Sequence, residues 1–310
     1  MKYNAINAKV AGMSAKLLSQ RDYSELCGYL NTYDAVAVLK SHAAYTWLCS
    51  DGTSIEAQLF PILEYDFSRI CNFIHDTNIR KYLECLLMKR RIYVIKKELR
   101  LAYNDNDDIN NVIERCEDEG SYKFIKGIFK TGMELSQLEI LLDLHYFTSL
   151  WKAKNRYLSG VNKAVATSIN GTEIDMYNLS RIYGLKKHYK PSKELMYKYI
   201  LPINYKVSPD IIGQLIEADN EAHMMEIIRG TAYGVYFTDD GVKLGEAVYD
   251  SCKRAKIKRP HSIAQILYYL FEKEMELRNI VTILESLNYS LDPIDTMNKL
   301  YNTDRREVHA

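Results

Sequence analysis

The sequence predicts an all-α protein, and three observations carry that expectation. Only 14 glycines and 6 prolines punctuate 310 residues, which suits long helices joined by a few loops better than many short strands and tight turns. Apolar residues recur at helical spacing through most of the chain. An acidic–Asn–aliphatic phrase is also written twice without a gap, as EIDMYNLSRI (Glu173–Ile182) and EMELRNIVTI (Glu274–Ile283), with Asn178 and Asn279 standing 101 positions apart.

The elements follow in order. Val10, Met13, Leu17 and Leu18 make a stripe over Ala8–Leu18. Leu26, Cys27 and Leu30 repeat it over Tyr23–Leu30, and Ala35, Val36, Leu39 and Ala43 make a third. SDGTS (Ser50–Ser54) is a break. Phe67, Ile70, Cys71 and Ile74 mark a helix within Ile62–His75, and a long one is expected over Ile79–Tyr103. YNDNDDINN (Tyr103–Asn111) reads as a linker or capping stretch. Helices are expected at Val112–Cys116 and Tyr122–Phe129, then over Glu134–Leu158. SINGTE (Ser168–Glu173) reads as a turn, with Thr172 capping the next helix and Asp175 as the box acid three residues on. The prolines of KPSKE (Lys190–Glu194) and LPINYKVSPD (Leu201–Asp210) mark boundaries. YFTDDGVKLG (Tyr236–Gly245) and KIKRPHS (Lys256–Ser262) are loops, and His261–Asn288 reads as one long helix.

A chain of this length implies two or three domains. Two further echoes favour three. RIYVIKKELR (Arg91–Arg100) keeps the stripe Ile92, Ile95 and Leu99 of the repeated phrase, without its acid and Asn. LKSHAAY (Leu39–Tyr45) matches IIRGTAY (Ile227–Tyr233) at an offset of 188. A period near 100 residues points to similar domains rather than a short-repeat solenoid. The expected division is 1–104, 105–207 and 208–310.

Charge is balanced, with 41 basic against 40 acidic side chains. No overall field therefore draws the chain to nucleic acid or anionic lipid. Six cysteines without a C-x-x-C pair read as reduced thiols of a cytosolic protein. MKYNAINAKVAGMSAKLL, at the N-terminus, has no apolar signal core, and no run of about 18 apolar residues exists to span a membrane.

Enzyme signatures are absent: there is no phosphate-cradling G-x-x-x-x-G-K, no H-E-x-x-H and no G-x-S-x-G. No two of the seven histidines stand at i, i+4, and Asp143 and His145, two apart, fall on different helix faces. No cofactor, metal or small-molecule substrate is expected. Asp175 with Asn178, and Glu276 with Asn279, share one face of their helices. One reading has each Asn bonding nearby backbone within the packing, with the acid serving the first turn or an exposed face. The other has equivalent polar faces lining a surface in each domain. Two basic clusters stand out, Lys89–Arg100 and Lys253–Arg259. On a helix Lys89, Tyr93, Lys96 and Arg100 share the face opposite Ile92, Ile95 and Leu99. That is either a solvated amphipathic face or a patch for an acidic protein, anionic lipid or nucleic acid. The 25 tyrosines suit a core with hydroxyls at its edge, or a protein interface.

Four stretches carry a family resemblance: Asn7–Tyr29 (NAKVAGMSAKLLSQRDYSELCGY), Leu138–Leu150 (LEILLDLHYFTSL), Glu173–Pro202 and Tyr269–Pro293. In order and spacing they resemble the C subunit of the bacterial and archaeal V/A-type rotary ATPases, a relative of the d subunit of eukaryotic V-ATPase. The resemblance implies a funnel of three similar helical domains with pseudo-threefold symmetry. It also implies a non-catalytic rotor adaptor, peripheral on the cytoplasmic side of the membrane. Such an adaptor sits on the proteolipid (c-type) ring and holds the D and F subunits of the central shaft, so that ATP hydrolysis or synthesis is linked to proton or sodium transport. Asp175, Asn178, Glu276 and Asn279 are then candidates for shaft contact or for helix registration, and Lys89, Lys96 and Arg100 for a basic surface. Arg91 and Val94 depart from the pattern where an acid and Asn are usual, and LPINYKVS lacks the glycines expected after the second-unit helix. The alternatives are a helical-repeat scaffold binding protein or RNA through Lys89–Arg100, and a helical enzyme using Asp175, Glu276 and a histidine.

Overall fold

The computed structural model describes residues 3–49, 55–105, 134–189, 191–238 and 241–301. Those residues are helical apart from connections and a two-stranded hairpin. In order they form α1 (Asn4–Ser14), α2 (Gln20–Cys27), α3 (Thr32–Leu39), α4 (Ile55–Cys71), α5 (Thr77–Asp105), α6 (Leu135–Tyr157) and α7 (Gly160–His188). Then come α8 (Lys193–Tyr199), α9 (Pro209–Glu217), α10 (Glu221–Arg229), a 3₁₀ turn at Gly234–Tyr236, β1 (Phe237–Thr238), β2 (Gly241–Val242), α11 (Leu244–Lys258), α12 (Ala264–Asn288) and α13 (Pro293–Lys299). The all-α class read from the sequence is the class observed.

The chain divides into two compact units, Met1–His75 with Thr238–Ala310, and Asp76–Phe237. The first unit joins stretches from both ends of the sequence. Its core gathers Leu18, Leu26 and Ile70 with Ile266, Ile280 and Ile283. The second buries Leu150, Val165, Ile174 and Leu179 with Leu215 and Ile228. Burial of this kind, at about 25 cal/mol per Å² of apolar surface, is what holds helices of modest intrinsic propensity together.

The short helix pairs α2–α3 and α9–α10 are set by matching caps. Ser19 accepts a hydrogen bond from the Asp22 N–H, and Ser208 from that of Ile211. Asn31 accepts from the Asp34 N–H, and Asn220 from that of His223. Each such cap satisfies an otherwise unpaired N–H of the first turn, worth about 1 kcal/mol. The side-chain chemistry thus recurs in both units at nearly constant offset.

The structure corrects three sequence expectations. The Ser168–Glu173 stretch is not a turn, because α7 runs unbroken from Gly160 to His188 with Thr172 buried inside it. Gly171 there answers to packing, since a Cβ would lie 2.4 Å from Cγ of Tyr205. The cost of about 1 kcal/mol for a glycine in mid-helix is offset by that close approach. Helix α1 stops at Ser14 rather than reaching Leu18, because the Ser19 capping box starts a new helix. Helix α5 continues to Asp105, so the first three residues of the expected linker or capping stretch are helical, and its other six lie outside the described residues. The expected break at Ser50–Ser54 and the expected helices at Val112–Cys116 and Tyr122–Phe129 lie outside the described residues. No helix among the described residues is long and apolar enough to cross a membrane.

Candidate functional site

Asp175 and Glu276, the acids three residues ahead of the repeated asparagines, each sit fully inside their own unit and hold a loop. In the second unit Asp175, 1% exposed, projects from α7. Its carboxylate accepts the backbone N–H groups of Tyr205 at 3.0 Å, Lys206 at 2.6 Å and Val207 at 3.2 Å. It also accepts the Tyr233 hydroxyl at 3.0 Å. Those three amides end the connection that leads into Ser208, the cap of α9. Burial pushes the Asp175 carboxyl above its ordinary value, and the four hydrogen bonds pull it back down. Burial, and then the neighbouring carboxylate, raise the Tyr233 hydroxyl far above the usual tyrosine range, so it stays a donor.

In the first unit Glu276 of α12 is 0% exposed and does the same work with different chemistry. It accepts the Leu18 N–H at 2.5 Å, one residue before the Ser19 cap of α2, and the Tyr45 hydroxyl at 2.5 Å. Lys273, one turn earlier on α12 and 2% exposed, donates to Glu276 at 2.6 Å and to the Tyr45 oxygen at 3.0 Å. Its ammonium also lies 4.7 Å from the centre of the Tyr45 ring, a cation–π contact. Burial first, and then Glu276, raise Tyr45 well above the ordinary tyrosine value. Beside this group the Tyr269 hydroxyl donates to Asp66 at 2.5 Å, and Arg69 stands 3.4 Å from the same carboxylate. At the position matching Lys273, the second unit has Thr172.

The two asparagines form a matched pair of clamps. Asn178 accepts the Leu201 N–H at 2.9 Å and donates to the Leu201 carbonyl at 3.1 Å. Asn279 accepts the Tyr301 N–H at 2.8 Å and donates to the Tyr301 carbonyl at 2.9 Å. A side-chain amide carries one acceptor and one donor group, so it mimics a backbone strand and fixes one residue of a loop at both polar ends. Both clamp residues are about 2% exposed or less. None of the four repeated polar residues reaches the surface.

The basic face of α5 is engaged by acids of α6 and α7. Lys89 pairs with Glu173 at 2.7 Å, Lys96 with Asp143 at 2.5 Å and Arg100 with Glu139 at 2.5 Å. Asp143 also accepts the Tyr177 hydroxyl at 2.7 Å, and the Arg181 guanidinium stands 3.4 Å away. The face is therefore an ion-paired seam along α6 and α7, with Lys96 largely covered and Arg100 still 56% exposed. Asp143 belongs to that seam, while His145 is held below its usual value by burial and by Lys152. Among the described residues no three His, Cys, Asp or Glu side chains gather as a metal-binding group.

A family described as ATP synthase (C/AC39) subunit matches residues 6–299, nearly the whole chain. The protein belongs to the ATP synthase (C/AC39) subunit family. A relative, the C subunit of the A-type ATP synthase of Methanobrevibacter smithii, is 30% identical over 166 residues. That alignment covers 49% of this chain and 42% of the relative, so the chain matches less than half of the relative's length.

For this C/AC39 chain the sequence located the repeated acids and asparagines but not their partners. The two tyrosines that bond the acids, Tyr45 and Tyr233, are the last residues of the echoed LKSHAAY and IIRGTAY stretches. That echo was the available signal. Lys273, Asp66 and Tyr269 gave no signal, nor did Lys186, which donates to the carbonyls of Leu215 and Ile216 at 3.0 and 2.8 Å and also to that of Ala218. Those carbonyls end α9, where a cation meets the negative end of the helix dipole.

Proposed function

We propose that this chain is the non-catalytic rotor adaptor of a V/A-type rotary ATPase, coupling the central shaft, built of the D and F subunits, to the proteolipid ring. ATP hydrolysis or synthesis in the catalytic head is thereby linked to proton or sodium transport. The observation that carries this reading is the family match from residue 6 to residue 299. A relative named as the C subunit of an A-type ATP synthase supports it. On this reading the chain is peripheral on the cytoplasmic side and passes torque without chemistry of its own.

The recurring order of elements supports three repeats at 1–104, 105–207 and 208–310. Two short helices, a medium helix and a long helix occur as α2–α5, and again as α9–α12. A medium and a long helix, α6 and α7, stand between them. An adaptor that transmits torque must not let its helices slip. Asp175, Asn178, Glu276 and Asn279 serve that need by registration, fixing loops to long helices from inside. Buried as they are, they shape a shaft-facing surface rather than touch the shaft. The scaffold reading through Lys89, Lys96 and Arg100 has less support, because those cations are paired with Glu173, Asp143 and Glu139.

The test is affinity purification of the tagged chain from membranes solubilised so that the ATPase stays assembled. Co-purification of a small proteolipid, the shaft proteins and the catalytic head is expected. Their absence from such a preparation would sink the adaptor reading.

A further inference from the structure

The first unit contains a cavity of about 520 Å³ between α1, the segment following α3, α4 and α12. This size lies in the range of small-molecule sites, roughly 300–1,000 Å³. Its chemistry is two-sided. Leu17 and Ile62 give an apolar wall, and Trp47 and Tyr65, which are 45% and 64% exposed, present aromatic surface at the opening. Three cations line it: Lys16 from the turn after α1, Arg69 from α4 and Lys273 from α12. Asp66 is the one carboxylate in the lining, and its oxygens are taken by the Tyr269 hydroxyl and Arg69.

Lys273 is the telling residue. An ammonium donates three hydrogen bonds, and among the described residues Lys273 spends two, on Tyr45 and Glu276. The remaining N–H belongs to a side chain that is 2% exposed and lines the cavity. A buried donor without an acceptor is costly. Nor is a lysine required to bury the repeated acid, since the second unit buries Asp175 with Thr172 in the matching position. The cation is thus particular to the first unit, where it lines this cavity.

We propose that this cavity binds a small amphipathic organic anion, a carboxylate or phosphate ester carrying a flat or apolar body. Its anionic head meets Lys273, Arg69 and Lys16, and its body lies against Leu17, Ile62 and the Trp47 ring. Charge-assisted hydrogen bonds in a partly desolvated cleft supply the selection for an anion. This reading stands independently of the adaptor role.

Trp47 supplies the readout, since Trp151 is the only other tryptophan. The full-length Trp151→Phe chain is titrated with anilinonaphthalene sulfonate while Trp47 emission is followed. Saturable quenching at one probe per chain is expected. Phenylnaphthylamine, the same ring pair without the sulfonate, should bind at least tenfold more weakly. Arg69→Gln should weaken the sulfonate probe by about tenfold. Lys16→Gln, at an exposed position where folding is not at stake, should weaken it severalfold. Naphthoate and naphthyl phosphate then compete with the probe, and the stronger competitor names the natural head group. Equal affinity for the charged and neutral probes, indifference to both substitutions, or failure of both competitors would each overturn the proposal.

Discussion

The two units solve one problem in two ways. Each must bury a carboxylate on a long helix so that it holds the loop ahead of a Ser-capped helix. The second unit surrounds Asp175 with neutral donors, three backbone N–H groups and a tyrosine. The first unit brings a full countercharge, Lys273, against Glu276. A network of neutral donors loses one bond at a time when altered. An ion pair at 3% and 0% side-chain exposure leaves a naked charge behind when either partner is removed. The same geometric task therefore carries different vulnerability in the two units.

The largest expected effect follows directly. Glu276→Gln leaves the Lys273 ammonium buried without its carboxylate and should destabilise by about 3–5 kcal/mol, read from denaturant unfolding. Asp175→Asn keeps an acceptor for the loop amides and should cost less, about 1–3 kcal/mol. Equal losses in the two variants would erase the distinction between the units. Adding Lys273→Met to Glu276→Gln removes the stranded charge, and the double variant should recover part of the loss; a double variant no better than Glu276→Gln alone would mean that the charge is not what costs stability.

The clamps sharpen the comparison in the other direction, because here the units are alike. Asn178→Leu and Asn279→Leu should each cost about 1–3 kcal/mol, since each strands a backbone N–H and C=O. Hydrogen exchange should accelerate at Leu201 in the first variant and at Tyr301 in the second, and nowhere else to the same degree.

A pH series separates the two acids further. Burial holds the Asp175 carboxyl above its ordinary 3.8. The folded protein therefore keeps that proton more tightly than the unfolded chain does. The contribution of this residue to stability is fully present below the unfolded value and is lost as pH rises through the folded one. Stability of the natural chain relative to Asp175→Asn should fall as pH rises upward from 3.8. A difference that stays flat across that window would show that burial does not govern Asp175. The smallest effect belongs to the α5 seam, where Arg100→Gln removes a pair with an Arg side chain 56% exposed, and should cost at most about 1 kcal/mol.

Much of this was legible in the sequence because it is periodic. The helical stripes gave the fold class, and the echoed phrases gave the residues that recur. Thr172 and Gly171 were misread because a glycine between polar residues looks like a turn when its neighbour in space, Tyr205, is unknown. The α5 cations looked solvated because Glu139, Asp143 and Glu173 lie 39 to 84 positions away.

What the sequence determined by itself is local: the helix period and the repetition of an acid and an Asn three residues apart. These depend on neighbours within one or two turns, which the sequence presents in order. Only the tertiary structure decided what those polar residues do. Glu276 finds Leu18 from 258 positions away, and Asn279 finds Tyr301 from 22. Burial then turns polar side chains that would be indifferent in water into obligatory partners, because a low-dielectric interior penalises every group left unpaired.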